Sequence, residues 1–210
     1  MKLRVSDDLP APVIEQLRQD LAPLLPIALD VTSNFRKGYL PTQVRLIGER
    51  SEWMESLKGP AMTLLAQLSA EGALGSSSDK ARIGKALADP SVEPLKQIAQ
   101  TLCGILRGGS QKNFKVGVGL AVPNWQHGTT LSLENPEEEL TALAIARFVN
   151  QLTDVEVAIR EEMKGPRKPH GGVHLEVSLN GPLVLRWLDE RTLNYHEREV
   201  TPPDAPEAAK

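Results

Sequence analysis

Cysteine is almost absent from the sequence, which contains a single one, Cys103, among 210 residues. One thiol excludes an intramolecular disulfide framework and a cysteine-rich zinc site, and it favours a reducing compartment. The first twelve residues lack the apolar stretch of a signal peptide. No run of the sequence approaches the roughly 18 consecutive apolar residues of a membrane-spanning helix. We therefore expect a soluble, cytoplasmic protein with no membrane partner.

A large excess of charge of either sign is also absent. The 24 basic and 27 acidic residues give a formal net charge of −3. This near balance argues against a surface that binds polyanions over its whole area, although it leaves room for local basic patches. Apolar residues make up 40% and charged residues 24% of the chain, which is typical of globular domains. The length suffices for one large domain or two small ones.

Local catalytic and cofactor motifs are missing as well. The chain contains no GxSxG, HExxH, Walker or GxGxxG pattern. We therefore predict no catalytic residue that can be assigned from sequence, no metal site and no cofactor. A hydrolytic enzyme whose site is assembled from residues distant in sequence is a third functional hypothesis, which ranks below the protein-binding and anion-binding hypotheses given at the end of this section.

The spacing of the histidines does not predict a metal site either. His170 and His174 have the spacing of a zinc-binding pair, but Gly171 and Gly172 between them disfavour the helix that this spacing requires. On a strand the two residues stand about 13 Å apart, too far for one metal ion bound at about 2 Å from each nitrogen. His174 and Glu176 share a strand face and are chemically able to act as acid and base. Such a pair is more often the polar side of a hairpin.

Hydrophobic spacing predicts an α+β fold, with a mainly antiparallel sheet and helices on one face. Strands are expected at 2–6, 27–31, 42–47, 114–122, 129–133, 173–179, 183–188 and 193–200. Helices are expected between residues 10 and 25 and at about 91–107, 136–152 and 153–164. Another helix is expected to be capped by Ser51, with a break or kink at Gly59-Pro60. A separate short helix is expected to end at about Ala88. We expect one domain over 1–200, with a helical insertion at about 76–108, and a disordered tail at 201–210. This order is compatible with a ferredoxin-like core.

Two short segments suggest an internal repeat. Residues 34–38 and 124–128 share the pattern Asn, aromatic, two polar residues, Gly, and each lies between two predicted strands. The second strand of each pair leads into a long helix. A duplicated strand–loop–strand–helix unit would explain this similarity; the alternative is two unrelated loops with ordinary turn chemistry.

The strand at 114–122 carries the clearest candidate for a protein-binding surface. One of its faces is bulky, whereas the other presents Gly117 and Gly119, so another backbone is able to come close. A helix packed tightly on that bare face is the favoured interpretation, and a docking partner is the alternative. The C-terminal strands, which include Trp187, offer an edge that could pair with a partner.

Three basic segments contrast with the acidic whole. Together with two neighbouring aromatic residues they form a candidate site for nucleic acid or another anion, and the alternative is solvated surface. The residues of this candidate site are Arg36, Lys37, Arg107, Lys112, Lys115, Arg167, Lys168, Phe35 and Trp125.

The leading functional hypothesis is a non-catalytic protein–protein interaction module, such as an adaptor, an assembly subunit or a sensor. Its partner is expected to be another protein or a second copy of the chain. A nucleic-acid or anion-binding domain that uses the basic segments is the alternative.

Overall fold

A computed structural model describes most of the chain. It covers residues 1–32, 42–72, 80–108, 114–122, 129–133, 137–164, 169–177, 183–189 and 191–200. Residues 106–108, 114, 129, 163 and 169–177 are described by their backbone only. The segments that contain the repeat motifs and the C-terminal tail at 201–210 lie outside this description.

Eight strands and six helices make up the described part. The strands are β1 (Lys2–Ser6), β2 (Ala28–Thr32), β3 (Thr42–Gly48), β4 (Phe114–Leu120), β5 (Thr129–Leu133), β6 (Pro169–Val177), β7 (Leu183–Asp189) and β8 (Tyr195–Val200). The helices are α1 (Ala11–Leu21), α2 (Arg50–Ala70), α3 (Lys80–Ala86), α4 (Glu93–Gly108), α5 (Glu138–Asn150) and α6 (Leu152–Lys164), and a 3-10 turn at Pro90–Val92 precedes α4. The α+β prediction is confirmed.

The strands form one mixed sheet in the order β2-β1-β3-β4-β5-β6-β7-β8. Three of the seven neighbouring pairs are parallel, namely β1/β2, β3/β4 and β5/β6. A mainly antiparallel sheet is therefore not confirmed. The reason lies in the connections, because each parallel pair is joined by helices that carry the chain back along the sheet.

The strand order also bears on two more specific predictions, the ferredoxin-like core and the duplicated unit. The ferredoxin-like core is wrong, because β1 and β2 are direct neighbours and the split βαβ unit of that fold requires a strand between them. The duplicated unit is not confirmed. In one copy β4 and β5 pair directly, whereas in the other β1 lies between β2 and β3.

The helices cover one face of the sheet. Burial alternates along β3 and β7, where every second residue is buried and the residues between are half-buried. The buried strand residues, such as Leu46 and Leu185, share one hydrophobic cluster with the buried residues of the helices. The opposite face, which we call the open face, carries the half-buried residues of the same two strands.

Helix α2 runs through Pro60 without a break, so the break expected there is wrong, and the alternative of a kink stays a prediction. Proline removes one backbone hydrogen bond from a helix and is ordinarily destabilising in its interior. Here a continuous stripe of fully buried residues, including Trp53, Leu57, Ala61 and Leu64, extends on both sides of Pro60. Packing of this stripe against the core outweighs the local cost. A capping box formed by Glu49 and Glu52 begins the helix, so Ser51 is not its cap.

Candidate functional site

The open face carries a row of register partners that runs across five strands. Arg4 on β1 pairs with Asp30 on β2 and with Arg45 on β3. Arg45 in turn pairs with Gly117 on β4, and Gly117 pairs with Ser132 on β5. The row therefore places two arginines directly opposite each other, next to a position without a side chain.

The two glycines on the open face of β4, Gly117 and Gly119, lie next to strand β5. A Cβ atom at Gly117 would lie 2.5 Å from the carbonyl oxygen of Leu131 and 3.0 Å from Cγ2 of Thr130. Gly117 and Gly119 are both buried. The atoms nearest to that Cβ position belong to β5 and not to a helix, so a helix packed tightly against Gly117 is not confirmed. Glycine at 117 is required because the backbone of β5 approaches β4 closely.

The third residue of the predicted protein-binding set lies elsewhere. Trp187 is 3% exposed and pairs in register with Val173 and with His196. It belongs to the hydrophobic core on the helix-covered face, whereas Gly117 and Gly119 lie on the open face. These three residues do not share a surface.

The predicted anion-binding residues fall only partly within the described chain. Lys115 is exposed on β4, and Arg107 is placed in the last turn of α4. The other seven predicted residues lie outside the described chain: Phe35, Arg36, Lys37, Lys112, Trp125, Arg167 and Lys168.

The strand register shows where the strands that follow the three basic segments begin. Thr42 and Phe114 are partners at the start of the parallel strands β3 and β4. Strand β6 runs antiparallel to β3 and β4, so its first residue, Pro169, lies at the opposite end of the sheet. Two of these three strands therefore begin at the same end of the sheet.

A buried polar cluster lies where β7 turns into β8. The carboxylate of Asp189, 1% exposed, accepts hydrogen bonds on Oδ1 from the backbone N–H groups of Arg191 and Thr192, each 2.8 Å long. Its Oδ2 lies 3.8 Å from Nε2 of His196. The His196 ring lies 5.9 Å from that of Trp187 between centroids. Asp189 Oδ2, His196 Nε2 and Trp187 Nε1 are buried and make no hydrogen bond.

The Asp189 carboxylate of this cluster bonds the turn residues Arg191 and Thr192. Among the described side chains, none exchanges a hydrogen bond with His196 Nε2. The backbone also closes this turn, since Leu193, which adopts a left-handed conformation with φ of 55°, donates its N–H to the Asp189 carbonyl.

Replacing Asp189 by asparagine is expected to lower the Tm by a few degrees at pH 7 and by less near pH 3. Hydrogen bonds from the Thr192 and then the Arg191 N–H groups hold the pKa of Asp189 below its usual value, against the effect of burial. A carboxyl group whose pKa is lowered on folding stabilises the protein above its unfolded pKa of about 3.9, and this contribution is lost as the pH falls through the folded pKa. Thermal unfolding at both pH values measures the effect.

The exposed Asp20→Asn variant on α1 is the control for this measurement and is expected to leave the Tm almost unchanged. An equal Tm loss for Asp189→Asn at pH 7 and pH 3 would show that the ionised form of Asp189 contributes nothing.

The predicted acid–base residues of β6 are placed by their backbone alone. His174 pairs with Thr130 and with Arg186, and a β-bulge separates His170 from Val173. Among the side chains that the structure describes, no three His, Cys, Asp or Glu residues gather closely enough to hold a metal ion. In the same part of the chain, no helix has the length and apolar character needed to cross a membrane.

One surface was not foreseen from the sequence. Strand β2 ends the described sheet, and its side chains Leu29 and Val31 are 44% and 52% exposed. Leu29 pairs in register with Leu3, which is fully buried. The apolar face of the sheet therefore continues outward past the helices at β2. The alternation in residues 28–32 indicates a strand, but only the strand order shows that it lies at an edge.

The described residues form an α+β fold on one mixed eight-stranded sheet, with an apolar edge at β2 and with Arg4 and Arg45 directly opposed on its open face. Comparison of the chain with protein-family models, with curated proteins and with solved structures finds no match for any of the three.

Proposed function

We propose that the protein is a non-catalytic protein–protein interaction module and that its partner docks on the edge strand β2. The observation that carries the proposal is the exposure of Leu29 and Val31 on a strand that pairs, among the described strands, only with β1. An exposed strand edge presents backbone hydrogen-bonding groups that an extended segment of a partner can use. The two apolar side chains add a surface that favours burial.

The opposite edge of the sheet supports this choice by contrast. Strand β8 exposes Glu197 and Glu199, and its Arg198 forms ion pairs with Glu161 and Glu162. Charged residues on an edge strand disfavour pairing with another chain. Strand β2 carries one charged residue, Asp30, which is bonded to Arg4 at 2.9 Å. Of the two edges, β2 is the one without this protection.

The partner that fits β2 is an extended, mainly apolar segment of a different protein. Two-fold antiparallel pairing with a second copy over the whole strand would place Asp30 opposite Asp30, and directly opposed like charges destabilise a sheet. A segment with apolar residues beside Leu29 and Val31 and a neutral or basic residue beside Asp30 avoids that cost. The single cysteine, which is buried and forms no disulfide, fits the cytoplasmic location that we include in the proposal.

Val31→Lys is expected to weaken partner binding at least tenfold and to leave the fold intact. Val31 is already half exposed, so its replacement changes stability by about 0.5 kcal/mol or less, whereas a lysine at the docking strand introduces an unpaired charge. Val157→Lys on α6 is the matched control, because Val157 is 50% exposed. A partner isolated with the wild type is titrated as a purified protein against both variants.

The expected outcome is wild-type affinity for Val157→Lys and at least a tenfold loss for Val31→Lys. Equal affinities for the two variants would refute docking on β2. Light scattering provides a further check: a wild-type dimer that Val31→Lys converts to a monomer would identify a second copy as the occupant and overturn the choice of partner.

A further inference from the structure

Arg45 occupies an unfavourable electrostatic position on the open face. The side chain is half-buried, and none of the described residues forms a hydrogen bond or an ion pair with it. Burial, and then the like charge of Arg4, lower the pKa of the Arg45 guanidinium. Arginine nonetheless stays protonated in proteins, so the fold holds an uncompensated positive charge at this point.

The surroundings of Arg45 add positive charge. Arg4 is its direct register partner on β1. Lys2 and Lys115 occupy diagonal positions, because Lys2 pairs with Ile47 and Lys115 with Gln43. Diagonal neighbours in a sheet lie about 7–8 Å apart, within reach of long side chains. Both lysines are exposed.

The described carboxylates near Arg45 do not neutralise its positive charge. Asp30, the register partner of Arg4, is bonded to that residue's Nε at 2.9 Å. Glu52 interacts electrostatically with Lys2, but its carboxylate is held by the amino group of Met1 and the N–H of Glu49. Neither carboxylate forms an ion pair with Arg45. A dianion would therefore offset more charge here than a single carboxylate would.

We propose that Arg45 and Arg4 bind a phosphate group on the open face, with Lys2 and Lys115 at its rim. A guanidinium group presents a planar fork of donors that matches phosphate oxygens. On the far side of Arg45 the row continues through Gly117, which has no side chain, to the hydroxyl of Ser132. This site is distinct from the β2 edge and does not rest on the protein-binding proposal.

The opposed charges of Arg4 and Arg45 should affect the thermal stability of the protein without ligand. Arg45→Gln removes one of two directly opposed positive charges, so its Tm in phosphate-free buffer is expected to equal or exceed that of the wild type. Arg18→Gln is the matched control. It removes the same charge from an exposed position on α1 where Arg18 is paired with Glu15 at 3.1 Å.

Titration with inorganic phosphate at constant ionic strength then tests the site. We expect saturable binding to the wild type and to Arg18→Gln, and binding at least tenfold weaker for Arg45→Gln. Arg45→Lys is expected to bind with intermediate affinity, since it keeps the charge but loses the fork. Absence of saturable binding to the wild type, or equal binding by Arg45→Gln and Arg18→Gln, would overturn the proposal.

A second titration, with a labelled single-stranded oligonucleotide, distinguishes the sources of the phosphate. Tighter binding of the oligonucleotide than of phosphate, lost in Arg45→Gln, assigns the site to a nucleic-acid backbone. Phosphate binding without oligonucleotide binding assigns it to a small phosphorylated molecule. Oligonucleotide binding that Arg45→Gln leaves unchanged would place nucleic-acid binding elsewhere on the protein, and it would count against this site.

Discussion

Replacing Trp53 by alanine is expected to lower the free energy of unfolding by about 3–5 kcal/mol, the usual cost of removing a large aromatic side chain from a core. Trp53 is fully buried on α2. Its indole Nε1–H donates a 3.0 Å hydrogen bond to the carbonyl of Gly119 on β4. Its ring meets that of Phe148 on α5 edge to face, with 5.6 Å between centroids. One side chain thus joins two helices to the middle of the sheet.

Denaturant unfolding of Trp53→Ala and Trp53→Phe separates the two contributions of this residue. Phenylalanine keeps most of the packing but removes the donor to Gly119, and a buried carbonyl left without that donor costs about 1–3 kcal/mol. We expect alanine to be the more destabilising of the two. A loss no larger for alanine than for phenylalanine would show that the ring contributes no packing energy.

Gly117→Ala is expected to destabilise the protein by about 1–3 kcal/mol, the usual cost of overpacking a well-packed site, and to loosen the pairing of β4 with β5. The new methyl group would lie 2.5 Å from the backbone oxygen of Leu131. Because the obstacle is backbone, the strands must move apart. Amide hydrogen exchange should show reduced protection along β5.

Gly104→Ala is the matched control for this substitution. Gly104 lies inside α4 and is exposed, and a Cβ atom there would meet nothing within 4 Å. Alanine in a helix interior is favoured over glycine by roughly 0.5–1 kcal/mol, so this variant should gain stability. Equal effects of the two substitutions would show that the close approach of β5 does not constrain position 117.

The individual elements were largely predictable because their signals are local. Strand β5 begins and ends where the alternation places it, at Thr129–Leu133, and so does β1 at Lys2–Ser6. The break between α5 and α6 also falls where the capping residues near Thr153 indicate it. A helix boundary that depends on packing was missed, as at Pro60. There the buried stripe of α2 decides the outcome, and its partners lie on other elements.

The arrangement of the elements was less accessible. Alternation predicts that Gly117 lies on one face of β4 and that Val116 and Val118 lie on the other. It does not predict that β5 approaches closely enough to require glycine at position 117. It also places Leu29 and Val31 in a strand without showing that this strand ends the sheet. The pairing of Arg4 with Arg45 joins residues distant in sequence, and no local pattern reports such a pair.

The three parallel strand pairs bear on how the chain reaches its native state. Thr42 and Phe114, partners at the start of β3 and β4, are separated in sequence by three helices. Each such pair must close a long loop before its hydrogen bonds form, and this entropic cost slows folding. We therefore expect helices α2 and α4, which depend on local contacts, to form before the middle of the sheet does. Apolar strands that are exposed in the interval would favour aggregation of newly synthesised chains.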